Sequence, residues 1–163
     1  MNAPVLFEEI QGSSKKGIRD FCKAMVVIFT ISFLANLILQ KGEISKMTIG
    51  LFTGIVVFIF LLVFLNVKMV TQIKMDGIYV RYAPFQSSFS YYSWESISEI
   101  YIREYNALLE YGGWGIRIGL RGRAFIASGN IGVQIIFKDG SQVLIGTHQP
   151  DAIASVLRKM GRM

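Results

Sequence analysis

The stretch 131–147, IGVQIIFKDGSQVLIGT, decides the fold of the C-terminal part of the chain. Apolar residues alternate with other residues on both sides of Asp139-Gly140, as they do in strands with one buried face. An Asp-Gly pair between two such runs is among the strongest sequence signals for a tight turn between antiparallel strands. We therefore predict a β-hairpin over 131–147.

The same alternation extends upstream of this hairpin and is interrupted by short turn signals. The turn signals are Asp76-Gly77, Ala83-Pro84, Gly112-Gly113, Arg121-Gly122 and Gly129-Asn130. The predicted strands cover roughly 70–75, 77–83, 87–92, 96–105, 113–120 and 123–128. Together with the hairpin they give about seven short strands, which predicts an antiparallel β-barrel or sandwich.

One amphipathic helix follows the strands, over about 150–161. Pro150 suits the first turn of a helix, where the missing N–H costs nothing, and Asp151 favours the positive end of the helix dipole. Apolar residues then recur at helical spacing, at Ile153, Val156, Leu157 and Met160. We expect this helix to cap the open end of the barrel.

Three stretches of the C-terminal part resemble a known group of proteins. They are Tyr111-Gly-Gly-Trp-Gly-Ile-Arg117, Gly129-Asn-Ile-Gly-Val133 and Asp139-Gly-Ser-Gln-Val-Leu-Ile-Gly-Thr147, the last with Pro150 behind it. The chain is similar here to the bacterial pleckstrin-homology-like (PH-like) membrane proteins with two N-terminal transmembrane helices. The resemblance covers nearly all of 66–163. It implies a bacterial host and a PH-like barrel with a C-terminal capping helix, and it supplies no catalytic residues.

Two uncharged stretches precede the predicted strands, 24–40 with 17 residues and 47–67 with 21 residues. As helices they would rise about 26 Å and 32 Å, against a hydrocarbon core of about 30 Å. The alternative is a pair of helices buried in a water-soluble core, but the remaining residues, roughly 100, are too few to cover both. The short link 41–46 then predicts an antiparallel transmembrane hairpin with helices at about 24–40 and 47–67.

Basic residues set the orientation of such a hairpin, because Lys and Arg accumulate on the cytoplasmic side. Two basic residues, Lys41 and Lys46, lie in the turn, whereas seven flank the hairpin on its outer side. The chain is therefore predicted to be a two-pass α+β protein of the bacterial inner (cytoplasmic) membrane. Its N-terminal segment 1–23 and a PH-like domain at 68–163 are both predicted to be cytoplasmic. A cleaved signal peptide is disfavoured, because 37–40 offers no small-residue cleavage site.

Gly50 and Gly54 form a G-x-x-x-G pattern in the second predicted helix. Such a pattern permits close approach of two helix backbones. We expect these glycines to pack against the chain's own first helix. A dimerisation motif or a docking site for a foreign helix is the alternative.

The sequence offers no set of residues suited to catalysis. His148 is the only histidine and Cys22 the only cysteine, which excludes a His-rich zinc site and a disulfide framework. The acidic residues lack metal-ligand spacing. We therefore expect no enzyme activity, no metal and no cofactor.

Basic residues give the only indication of a ligand. Lys74 and Arg81 flank the first predicted strand turn, where PH domains that bind inositol lipids place phosphate-binding residues. Arg117, Arg121 and Arg123 form a second patch around a glycine. These five residues are candidate contacts to anionic headgroups, although a solvated basic face is the simpler interpretation.

Gly113, Trp114, Gly115 and Arg117 form a candidate structural motif. The glycines favour a tight corner over a nucleotide loop, because the residues that follow continue as a strand. Trp114 either packs in the core, which we favour, or anchors the domain at the headgroup layer.

These observations predict a non-enzymatic, membrane-anchored PH-like module. We expect an adaptor or scaffold that binds a protein partner or anionic headgroups, with no nucleic acid and no small-molecule substrate. The alternative function is a small accessory subunit of a transporter, secretion or assembly complex that docks through its transmembrane helices.

Overall fold

The structure, a computed structural model, describes residues 4–12, 23–31, 34, 50, 54–59, 67–119 and 122–163. The chain divides into two compact units. The first, here called the β domain, comprises Met1–Ser13 and Val67–Met163. The second, here called the insert, comprises Ser14–Asn66, which lies between the two parts of the β domain in the sequence.

The described part of the β domain contains two β-sheets. The first sheet has the order β1-β2-β3-β4, with β1 at Val5–Gly12, β2 at Lys68–Lys74, β3 at Gly77–Ala83 and β4 at Ser90–Ser93. The second has the order β5-β8-β9-β7-β6, with β5 at Ile97–Glu104, β6 at Gly115–Gly119, β7 at Gly122–Ile126, β8 at Ile131–Phe137 and β9 at Gln142–Gly146. Neighbouring strands are antiparallel except for β7 and β9, which are parallel.

The main core lies between the inner faces of the sheets, and a C-terminal helix, α2 (Pro150–Lys159), packs against it. Ile153 and Leu157 of α2 are buried in this core, while Val156 and Met160 are partly buried against it. Burying a side chain such as Leu157 stabilises the fold by about 1.5–3 kcal/mol relative to exposing it. The helix predicted from Pro150 and its apolar stripe is confirmed.

A short helix, α1 (Ala107–Tyr111), covers part of the outer face of the second sheet. Asn106 caps it by accepting hydrogen bonds from two backbone N–H groups, and Gly112 ends it in the left-handed conformation at φ 71°. Tyr105 and Tyr111 pack with residues of the strands in a second, smaller core. Because α1 is too short to show a helical period, the sequence pattern does not predict it.

The strands predicted downstream of residue 67 all occur within a few residues of their expected positions. The prediction of a seven-stranded antiparallel barrel is nevertheless wrong, because the described β domain has nine strands and one parallel pair. The strand that the analysis missed is β1, which pairs with β2 across the whole insert. The inner face of β1 carries Phe7, Glu9 and Gln11. Because Glu9 and Gln11 are polar, the strand lacks the alternation of apolar and polar residues that marks a half-buried strand.

The prediction of a transmembrane hairpin is also overturned. Within 23–31, 34, 50, 54–59 and the rest of the described chain, no helix is long and apolar enough to cross a membrane. The two-pass topology, the inner-membrane localisation and the fold class built on them are therefore wrong for the residues that the structure describes. The other residues of the two predicted spans, and Cys22, lie outside the described residues.

Of the two glycines in the G-x-x-x-G pattern, Gly54 approaches another helical segment of the insert. A Cβ atom at Gly54 would lie 2.7 Å from Cζ of Phe29. The space beside Gly54 is thus filled by a side chain of the same chain. Gly50 is helical and half-buried.

Candidate binding cleft

A cleft of about 540 Å³ opens at one end of the β domain, between the edge strand β4 and the strands of the second sheet. Tyr92 lines it from β4, and the turn between β8 and β9 closes one side. The described residues that line it are Tyr92, Ile118, Gly122, Arg123, Gly140, Ser141, Gln142 and Val143. Arg123 is the only cation among the described residues that line this cleft.

Strand register explains why Arg123 points into the cleft. It lies opposite Ile118 of β6 and beside Val143 of β9, so these three side chains share one face of the second sheet. Phe125, two residues further along β7, points the same way and is fully buried in the main core. Arg123 is therefore the first inward-facing residue of β7, at the position where the core meets solvent.

Gly122 brings the start of β7 close to β9. It has a φ of 93°, a conformation that residues with a side chain rarely adopt, and a Cβ there would clash with the Gln142 carbonyl oxygen. A glycine is therefore needed for the close approach that forms this wall of the cleft.

The electrostatics of the cleft favour an anion. Arg123 is exposed and forms no ion pair with another described residue. Burial raises the pKa of the Tyr92 hydroxyl, and the nearby positive charge of Arg123 opposes that rise. Asp139, in the adjoining turn, accepts hydrogen bonds from the Ser141 hydroxyl at 2.7 Å and backbone N–H at 2.9 Å, which lower its pKa. The Asp139 carboxylate is thus already hydrogen-bonded within its own turn, and Arg123 forms no ion pair with a described carboxylate.

Lys74 and Arg81, the first predicted basic pair, lie elsewhere. Both are on the outer face of the first sheet, where Lys74 Nζ is 4.4 Å from the centroid of the Tyr79 ring and the Arg81 guanidinium carbon is 4.8 Å from that of the Phe89 ring. Both cations are therefore engaged by aromatic rings. The structure does not bring them together with Arg123.

Tyr79 anchors this aromatic group. Its hydroxyl donates a 2.6 Å hydrogen bond to the Asp76 carboxylate, which, together with a smaller desolvation effect, raises the pKa of Tyr79 to about 12. The Phe89 and Tyr91 rings lie 6.3 Å and 4.7 Å from it, measured between centroids. On the outer face of the first sheet, these aromatic rings and the two cations therefore contact one another in one cluster.

Arg117 lies on the face of β6 opposite to Ile118. Its Nε atom donates a 2.6 Å hydrogen bond to the Trp114 carbonyl oxygen, and a Cβ at Gly113 would lie 3.5 Å from its Nη2 atom. Gly113 and Gly115 have φ values of 127° and 102°, a conformation that glycine adopts readily, and they follow directly after α1. Arg121 lies outside the described residues.

Trp114 is 49% exposed, which overturns the interpretation that it packs in the core. The buried tryptophan is Trp94, whose Nε1 donates a 3.0 Å hydrogen bond to the Lys74 carbonyl oxygen. Sequence reasoning did not single out Trp94, because it lies in a short connection that shows no period.

His148 belongs to a polar cluster that the sequence analysis missed. Its Nε2 atom is 2.8 Å from the Ser128 hydroxyl, and its backbone N–H donates a 2.8 Å hydrogen bond to the Glu9 carboxylate. Glu9, 3% exposed, also accepts a 2.6 Å hydrogen bond from the Thr147 hydroxyl. The carboxylate binds the backbone of His148 and not its ring, so the arrangement of a Ser-His-acid triad is not formed. The cluster instead fastens β1 to the end of β9.

The described residues contain no group of three or more His, Cys, Asp or Glu side chains that would hold a metal ion. Comparison with protein-family models, with curated proteins and with solved structures gives no match. The resemblance to PH-like proteins stays a prediction.

Proposed function

We propose that the chain is a non-enzymatic binding module, an adaptor that recognises an acidic segment of a protein partner in the cleft. The observation that carries this proposal is the exposed guanidinium of Arg123, which has no carboxylate partner among the described residues and lies in a cleft with apolar walls. A guanidinium binds a carboxylate through two parallel hydrogen bonds, which gives both affinity and orientation.

The rest of the cleft suits a ligand that is partly apolar. Ile118 and Val143 lie beside Arg123 on the same face of the second sheet, and Tyr92 lines the cleft with them. One cation among the described lining residues suits a single carboxylate better than a phosphorylated headgroup, which is usually held by several basic groups. An acidic side chain flanked by apolar residues meets each of these conditions.

Calorimetric titration of the full chain tests the proposal. The probe is a capped five-residue peptide of alternating glutamate and valine, and the matched peptide carries lysine in place of glutamate. We expect the glutamate peptide to bind and Arg123→Gln to weaken that binding at least tenfold, since a hydrogen-bonded charge pair contributes about 1.5–3 kcal/mol. Arg158→Gln removes the same charge from an exposed position on α2 and should change the affinity less than twofold.

Equal affinity of the wild-type chain and Arg123→Gln for the glutamate peptide would overturn the proposal. So would equal binding of the lysine peptide. Binding to vesicles that contain phosphatidylglycerol, without any response to the peptide, would assign the cleft to headgroups and likewise contradict it.

A further inference from the structure

β6 is an edge strand of the second sheet, with β7 as its only described neighbour in the ladder. Gly119 and Gly122 lie opposite each other with two residues between them in the sequence, so they form the hydrogen-bonded pair that closes the hairpin. Hydrogen-bonded and non-hydrogen-bonded pairs alternate, so Ile116 and Ile118 direct their backbone N–H and C=O groups away from β7. Outside the ladders, no backbone hydrogen bond from the described chain reaches residues 115–119.

The helix α1 lies against one face of β6 and leaves this edge uncovered. A Cβ at Gly119 would be 3.0 Å from the Glu110 carbonyl oxygen and 3.4 Å from Cδ1 of Tyr111, which places α1 on the face shared by Gly119 and Arg117. Ile118 is on the other face, where it is 80% exposed and lines the cleft. Among the residues that the structure describes, nothing pairs with this edge of β6, which is continuous with the cleft.

We propose that an extended segment of the partner binds by β-strand addition to β6, so that it continues the second sheet and directs an acidic side chain toward Arg123. This inference rests on the proposed function and specifies the form in which the acidic ligand binds. Unpaired backbone donors and acceptors on an edge strand are what an extended peptide recognises. A folded surface or a free anion does not need them.

Charge complementarity identifies the side chains of that segment. Strands lie about 4.8 Å apart, so an added strand runs about 10 Å from β7, a distance that a glutamate and Arg123 span together. On the opposite face, Arg117 is exposed on β6 itself. β6 and β7 contain no Asp or Glu, so acidic residues of the segment meet an arginine on either face.

Backbone methylation tests this binding mode with the full chain. Two further versions of the glutamate–valine peptide carry N-methyl groups on alternate residues, one on the glutamates and the other on the valines. We expect one of them to bind at least tenfold more weakly than the unmodified peptide, because its methylated nitrogens face β6. In hydrogen exchange, the unmodified peptide should slow the Ile116 and Ile118 amides.

A matched pair of variants at position 118 separates the side chain from the backbone donor. Both variants remove the isoleucine side chain, but only the proline variant also removes the backbone N–H. Proline at position 118 removes an N–H that does not take part in the β6–β7 ladder, and an edge strand tolerates it there. We expect Ile118→Pro to weaken peptide binding at least tenfold relative to Ile118→Ala. Because the methylated peptides act on the wild-type chain, they decide the question even if Ile118→Pro does not fold.

The outcomes separate this inference from the proposed function. If both methylated peptides bind as tightly as the unmodified one, while Arg123→Gln still abolishes binding, the cleft recognises the acidic group and strand addition is overturned. If the unmodified peptide does not bind at all, both proposals are overturned.

Discussion

Replacing Glu9 with alanine should destabilise the β domain markedly. The Glu9 carboxylate is buried and accepts two hydrogen bonds, from the Thr147 hydroxyl at 2.6 Å and the His148 backbone N–H at 2.8 Å. Its loss leaves the buried Thr147 hydroxyl and the part-buried His148 N–H without this acceptor and releases the anchor between β1 and the end of β9.

The magnitude follows from these contacts. Hydrogen bonds to a charged group contribute about 1.5–3 kcal/mol each, so the two together amount to about 3–6 kcal/mol. The substitution also removes the free-energy cost of burying the carboxylate, and this offsets part of the sum. We therefore expect Glu9→Ala to lower the free energy of unfolding by about 2–4 kcal/mol.

Equilibrium urea denaturation followed by tryptophan fluorescence measures this change, because both tryptophans, Trp94 and Trp114, belong to the β domain. Glu8→Ala is the matched control, since Glu8 is the adjacent residue of β1, is exposed and bonds only to Gln72. Glu8→Ala should lower the free energy of unfolding by less than about 0.5 kcal/mol. The reasoning is refuted if Glu9→Ala lies within 0.5 kcal/mol of the wild type (about the limit of surface substitutions), or if both variants lose equal stability.

Three further perturbations test other parts of the fold. Leu157→Ala should lower the free energy of unfolding by about 3 kcal/mol, because Leu157 is fully buried, and a urea midpoint unchanged from the wild type would contradict this. Asp76→Asn should bring the pKa of Tyr79 down from about 12 toward 10, seen by ultraviolet titration against Tyr79→Phe. Because the folded-state pKa is the higher one, Tyr79 adds stability below about pH 10 that is lost as the pH rises toward 12, and the Asn variant should lack that loss. Gly122→Ala should lower the free energy of unfolding by at least about 2 kcal/mol, and Gly140→Ala should lower it by about 1 kcal/mol. Both glycines have a positive φ, but only at Gly122 would a Cβ also clash with a carbonyl oxygen. Equal shifts of the melting temperature in the two variants would refute the clash.

The strands downstream of residue 67 were predictable because each buries one face, which leaves a period of two in the sequence, and because Asp-Gly and Gly-Gly pairs mark the turns. The helix α2 was predictable for the corresponding reason, with Pro150 at its start. Local sequence patterns do not predict that β7 pairs in parallel with β9, because β8 separates these two strands in the sequence. The second sheet therefore had to come from the structure.

The N-terminal part was mispredicted for two physical reasons. β1 buries Glu9 and Gln11, whose polarity is compensated by Thr147, His148 and Gly146 more than a hundred residues away, so its buried face does not look apolar. In the insert, the prediction rested on length and hydropathy alone, and no helix among the described residues is long and apolar enough to cross a membrane.

The candidate site was predictable in part. A basic patch that includes Arg123 follows from the sequence, whereas its separation from Lys74 and Arg81 depends on which face of which sheet each residue occupies. Ile118 reads as a core residue in the alternating pattern, yet it extends past the end of the core and is exposed in the cleft.

The most direct measurement is an NMR titration of the arginine side-chain Nε–H groups of the full chain with the capped glutamate–valine peptide. The account predicts a saturable shift of the Arg123 resonance, assigned through Arg123→Gln, while the Arg158 resonance stays in place. An unchanged Arg123 resonance at peptide concentrations that saturate binding would contradict it.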